Sequence, residues 1–292
     1  MKPGTLAIVL SVAILGPPML GVTRPADAQP VPSPSPSPQP SDPCAGPGRL
    51  LATANRPTIG FSACAVKAGT AVFELGYQNQ VTGTVSAGSI QSQVPQNFLR
   101  LGIVPRFELD VIGPNYEKTS TYTNGMVNTV TSGVTDSGLG LKSELPPGSK
   151  WTVAFDGLYT GPNGSKFLTA GNATFTGNFD ASFAMSAAMS IGTTIAVSST
   201  GGYANHSHGK YGVTTPSLVV TAQIPNYYQF YAEYVFVSKV ALDRGGRAFT
   251  DFGIQKLLGS RTELDIEYGH AFTGIPALKF SYIGAGLVVQ LR

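Results

Sequence analysis

Along most of the chain, apolar and polar side chains alternate one for one. "AVFELGYQ" sets Ala71, Phe73, Leu75 and Tyr77 on one face, and Glu74 and Gln78 on the other. "FLRLGIV" does the same with Leu99, Leu101 and Ile103 against Arg100. A period of two is a strand period, because successive strand side chains point to opposite faces. The pattern continues in "RFELDVI", "GLGLKSEL", "WTVAFDGLY" and "FTGNFDASF". It is weaker in "SIGTTIAVS", "SLVVTAQI", "QFYAEYVFV" and "TDFGIQ", then returns in "TELDIEYG" and "SYIGAGLVVQL". These twelve segments approach the ~9–11 residues that cross a bilayer as tilted strands.

The connections alternate too. Short ones sit near "VPR" (104–106), "PPGS" (146–149), "SAA" (186–188), "PNYY" (225–228) and "LGSR" (258–261). Long polar ones lie near 79–95, 116–135, 160–172, 200–213, 239–247 and 272–279. Short turns at one end and long loops at the other mark a transmembrane β-barrel. An even strand number puts both barrel ends on the short-turn, periplasmic side. Tyr77, Tyr116, Trp151, Tyr159 and Tyr282 fall near strand ends, where aromatic girdles sit. The expected fold is all-β: a closed antiparallel barrel of about twelve strands spanning residues 70–292.

Strand parity then sorts the charges. Eleven of the sixteen acids fall on the inner face: Glu74, Glu108, Asp110, Glu144, Asp156, Asp180, Glu233, Asp251, Glu263, Asp265 and Glu267. The inward bases are Arg100 and Lys142. A charge facing lipid costs up to ~2–4 kcal/mol near the midplane, so these groups must line the interior. A lumen walled with carboxylates concentrates cations, which predicts cation preference if a pore is open. Arg100 and Glu108 flank the Val104–Pro105 turn. A register centred on residue 104 would set them opposite each other, as a structural ion pair or as a charge filter. A secreted β-sandwich also alternates, but its polar face meets water. Such domains usually carry more charge than the 12% found here.

The N-terminus adds an address. Lys2 precedes the apolar run "TLAIVLSVAILGPPML", and "ADAQ" offers a small-x-small cleavage site. Residues 1–28 therefore read as a secretory signal peptide, with an uncleaved anchor helix as the alternative. "QPVPSPSPSPQPSDP" (29–43) is a Pro/Ser-rich disordered or semi-stiff linker. Residues 44–69 hold both cysteines, Cys44 and Cys64. An even count in an exported chain predicts a disulfide, two unpaired thiols being the alternative. This segment is placed to cap the periplasmic mouth or to plug the lumen.

Catalytic signals are weak. There is no nucleophile elbow, no phosphate loop and no Cys–His cluster. His206, Ser207 and His208 sit in an expected long loop. They suit neither an oriented base–nucleophile pair, as an outer-membrane lipase would need, nor a metal site, since no third ligand is evident. No catalytic residue, metal or cofactor is expected, so the chain does not read as an enzyme. The net charge of +3, without a basic cluster, gives no case for a nucleic-acid partner.

"FLRLGIVPRFELDV", "DSGLGLKSEL" and "DFGIQKLLGSRTELDIEYG" resemble the outer-membrane transporter-like family named for the meta-pathway of phenol degradation. The resemblance covers roughly residues 70–292. It implies a twelve-stranded barrel in the outer membrane of a Gram-negative bacterium, passing small aromatic or apolar molecules without catalysis. The implied partners are outer-membrane lipids, the permeant and the barrel-assembly machinery. This chain departs by ending "QLR", where such barrels carry an aromatic residue that the machinery reads. The competing function is a non-transporting structural or adhesive barrel.

Overall fold

In the computed structural model the described residues are 43–45, 48–200, 210–225, 227–240, 245–273, 275 and 279–291. The expected signal peptide, nearly all of the linker, and His206, Ser207 and His208 lie outside them. The described residues form one short helix, α1 (Arg49–Thr53), and fifteen strands. The first seven are β1 (Ala71–Gly83), β2 (Ala87–Val94), β3 (Phe98–Val104), β4 (Phe107–Ile112), β5 (Tyr116–Thr123), β6 (Met126–Val134) and β7 (Gly138–Glu144). The rest are β8 (Trp151–Thr160), β9 (Thr174–Ala184), β10 (Met189–Thr200), β11 (Tyr211–Ile224), β12 (Tyr228–Val237), β13 (Arg247–Leu258), β14 (Thr262–Ala271) and β15 (Phe280–Leu291). Each of the twelve alternating segments is strand, apart from the end residues Arg106 and Leu145.

β15 pairs antiparallel with β1, from Ala71↔Leu291 to Thr82↔Phe280. That ladder closes the sheet into a ring and removes its edges, as a bilayer requires. The ring has twelve strands, because six of the fifteen elements are halves of three long strands. β2–β3 and β4–β5 keep one register across their breaks, through Val94↔Tyr116 and Phe98↔Ile112. β4–β5 and β6–β7 do likewise, through Ile112↔Gly138 and Tyr116↔Val134. The breaks hold Pro95 and Pro114, which have no N–H to give a ladder. Side chains accept instead: Asn97 N–H donates to Asn115 Oδ1 (3.0 Å), and Asn115 N–H to Thr135 Oγ1 (3.0 Å).

The stretches 79–95 and 116–135, expected as loops, are therefore mostly strand. Their polar composition hid this. "YEKTSTYT" is rich in strand-forming Thr and Tyr but shows no apolar face.

The ring's outer face is apolar: Leu141, Phe155, Ile195, Leu218, Phe230 and Ile266 all point away from the lumen and are exposed. Between β8 and β9 an aromatic ladder climbs that face. Its rungs are Trp151–Phe183, Phe155–Phe179 and Tyr159–Phe175, with ring centroids 4.4, 5.4 and 5.1 Å apart. Such cross-strand pairs each contribute a few tenths to about 1 kcal/mol. Of the expected girdle residues, Tyr77, Tyr116, Trp151 and Tyr159 are exposed. Tyr282 is not; it faces inward and is buried, because its neighbour Ile283 takes the outward position.

Candidate functional site in the barrel lumen

All thirteen charged residues assigned to the inner face by parity are buried. Eight of them meet the chain's own segment 48–69, which rises into the ring from the short-turn end and returns. At its base Leu50, Leu51, Ala54 and Val66 pack with Val72, Leu257 and Val288 of the wall. Burying each Leu or Val is worth ~1.5–3 kcal/mol. A Cys44–Cys64 disulfide ties the rising leg to the returning one.

Apart from α1 this segment has no regular structure, so its buried N–H and C=O groups need partners from elsewhere. The wall supplies them. Glu74 accepts the N–H groups of Asn55 (3.1 Å) and Arg56 (3.0 Å). Glu233 accepts those of Ile59 (2.8 Å) and Gly60 (2.9 Å) at the tip. Glu144 and Glu108 accept those of Ala65 (2.7 Å) and Val66 (2.6 Å) on the way down. The wall cations take carbonyls: Arg100 donates to Thr53 and Cys64, and Lys142 donates to Ser62 at 2.6 Å. Phe61 N–H donates to Thr194 Oγ1 at 2.9 Å.

Arg100 and Glu108 do pair, with Nη2–Oε1 at 2.8 Å, but not as direct opposites. Arg100 lies across from Asp110, and Gly102 across from Glu108. The hairpin turns at Pro105–Arg106, where Arg106 has φ +66°, so its register is centred one residue later than expected. Arg100 also reaches Glu74 at 3.2 Å and Asp110 at 4.0 Å. Lys142 stands between Glu108 and Asp156 in the cross-strand row and lies 3.5 Å from Asp156. Carboxylate oxygens of Glu108, Asp110 and Asp156 come within 4.8 Å of one another, with these two cations beside them. Asp180 accepts the Thr194 hydroxyl (2.6 Å), and Asp251 accepts that of Tyr231 (3.0 Å). Glu263 sits between Leu257 and Val288 in the ladder, near the segment's base.

Alternation could not have found Arg56, because it precedes the first strand. Its guanidinium donates to Asp265 (3.2 Å), Glu267 (3.4 Å) and Gln96 (2.7 Å). It lies over the Gly76↔Gly286 pair at the β1–β15 closure. A Cβ on Gly76 would come 2.2 Å from Nη1, and one on Gly286 would come 2.3 Å from Nε. Burial alone would push the Arg56 pKa down, but Asp265 and Glu267 outweigh it, and the pKa lies above the ordinary arginine value.

Beyond the tip, toward the long-loop end, a cavity of about 180 Å³ opens against β8–β11. Ile59, Gly60 and Phe61 form its floor.

No family model matches the chain, and no curated protein matches it. Among solved structures the chain is similar to an outer membrane channel from Pseudomonas putida F1. The identity is 12% and the TM-score 0.57, over 78% of this chain and 97% of that one. The fold is that of an outer-membrane barrel. Weaker likenesses are to the NanC porin (12% identity, TM-score 0.47, 74% of this chain and 98% of that one) and the CymD monoaromatic hydrocarbon channel (9%, 0.40, 78% and 89%).

Proposed function

We propose that the chain is a passive outer-membrane channel for small aromatic or apolar molecules, and that segment 44–69 is its gate. The carrying observation is how that segment is held. Four wall glutamates accept six of its backbone N–H groups, and three cations bridge segment and wall. A segment fastened along most of its length by hydrogen bonds, with an apolar cluster only at its base, can let go without unfolding the ring. The barrel fold shared with an outer membrane channel agrees with this reading. The resemblance to the family named for phenol degradation points to the same permeants. The cation preference of the lumen belongs to the released state, because in the held state the segment fills the lumen and engages six of the eleven wall acids.

The test is conductance in planar bilayers. The intact chain should show small or rare openings, and a variant lacking residues 44–69 should show a stable, larger conductance. Equal conductance from both would remove the gate. No conductance from either, with correct heat-shifted gel migration, would favour a structural or adhesive barrel.

A further inference from the structure

We infer that three inner-wall aspartates, Asp110, Asp156 and Asp180, together with Asn178, form a site for one hard divalent cation between β4, β8 and β9. The inference stands apart from the channel reading and uses none of it. The segment engages six wall acids, and these three aspartates are not among them. All three are buried. Carboxylate oxygens of Asp110 and Asp156, with one from Glu108, lie within 4.8 Å of one another. β7 runs between β4 and β8, and Gly140, across from Asp110, puts no side chain in the way. The Asp156 and Asp180 side chains also meet. Both oxygens of Asp110, both of Asp156 and Oδ2 of Asp180 are buried and accept no hydrogen bond among the described residues. Buried oxygens without partners are rare in folded proteins, and a bound ion is one physical reason for them.

Asn178 points to an ion independently. It lies directly across from Asp156 and two residues before Asp180 on the same strand face. The residue is 6% exposed, and its Oδ1 is closed off from the cavity above the tip, without a hydrogen-bond partner among the described residues. Unpartnered oxygens of Asp156 and Asp180 stand beside it. An amide oxygen next to two carboxylates is repelled by both unless a cation lies among them. The charges agree in number. Arg100 is shared by Glu74 and Glu108 and reaches Asp110 only at 4.0 Å. Lys142, 3.5 Å from Asp156, is then the cation left to offset three aspartates. Two negative charges remain, and burying them unpaired is costly. One divalent ion balances them. The donors are all oxygen, with no thiolate or imidazole, which suits a hard cation. Calcium takes about six to eight oxygens in irregular geometry, whereas magnesium demands an octahedron and keeps much of its water. A closed site walled by carboxylates and an amide oxygen favours calcium.

The experiment is equilibrium dialysis of the full chain, in nanodiscs of zwitterionic lipid, against CaCl2 after treatment with EDTA. Empty nanodiscs are the control, and dialysis allows for slow entry into a closed site. Wild type should hold one calcium per chain and bind MgCl2 more weakly. Asp156→Asn and Asn178→Leu should each weaken calcium binding at least about tenfold, the least that even an outer-shell partner contributes in a metal site. Asn178→Leu leaves the charge of the lumen untouched, so its effect separates ligation from general attraction to acids. Glu263→Gln removes an inner-face acid outside the cluster and should bind as wild type does. Heat-shifted gel migration certifies each barrel, and Asp180→Asn stands in for a variant that does not fold. No saturable calcium in wild type overturns the site; the aspartates would then share protons instead. Wild-type affinity in Asp156→Asn or Asn178→Leu overturns it too, as does an equal loss in Glu263→Gln. Tighter magnesium than calcium would overturn the choice of ion.

Discussion

At the scale of the residue, two positions on the segment show how closely it is fitted to the wall. Arg56 is shared by Asp265 and Glu267, and its side chain is largely buried. Replacing it by Gln leaves two buried carboxylates without their cation, a loss that typically costs ~3–5 kcal/mol in a buried network. The Arg56→Gln barrel should therefore lose its compact gel migration at a lower temperature than wild type; an unchanged midpoint would mean the pair is ornamental. Gly60 is the second position. A Cβ there would come 2.5 Å from Ser217 Oγ and 2.9 Å from Thr194 Oγ1, both short side chains of the wall. Gly60→Ala should push the tip away, at a cost of ~1–3 kcal/mol for overpacking. More frequent openings in single-channel records would register this. Neither residue is legible from alternation. Their partners lie up to 211 positions away in the chain, and nothing local in "NRPTIGFSA" announces them.

At the scale of the element, legibility follows the solvent. Where a strand faces lipid on one side, every second residue must be apolar, and the twelve segments could be read directly. β2, β5 and β6 are rich in Ser, Thr and Gln with few apolar residues, and such stretches read as loop. Segment 44–69 lacks it too; it has one short helix and takes its hydrogen bonds from the wall. The inner-face acids were legible as inward. Their work as acceptors for another segment's backbone was not, since no pattern of side chains encodes where a distant N–H will come to lie. The disulfide belongs to this scale as well. Closing a loop of about 20 residues restrains the free segment by ~3 kcal/mol in the chain-entropy model. Changing both Cys44 and Cys64 to Ser should leave the ring intact and loosen the segment. Trypsin should then cut faster at Lys67, at the foot of the returning leg, while the barrel core stays resistant. Equal cleavage rates would show that the hydrogen bonds alone hold it.

At the scale of the whole molecule the question is what the lumen's charge does when the segment leaves. Eleven inner-face carboxylates stand against two wall cations, Arg100 and Lys142, the third cation of the network, Arg56, being part of the segment. Removing 44–69 would strip six backbone N–H donors and Arg56 from the acids at once. Water would refill the ring, and the carboxylates would face it with little fixed compensation. A narrow, acid-lined conduit enriches cations, and the enrichment depends on unscreened charge. The Debye length falls from ~10 Å at 0.1 M salt to ~3 Å at 1 M. The deleted barrel should thus show a reversal potential displaced strongly toward the potassium equilibrium potential in 0.1 M KCl gradients. That displacement should shrink as both solutions approach 1 M. Anion selectivity at low salt would contradict an acidic inner face, and selectivity indifferent to salt would point to size rather than charge. Intact protein tested beside it should show little of either, because the segment fills the lumen and holds six of the eleven acids.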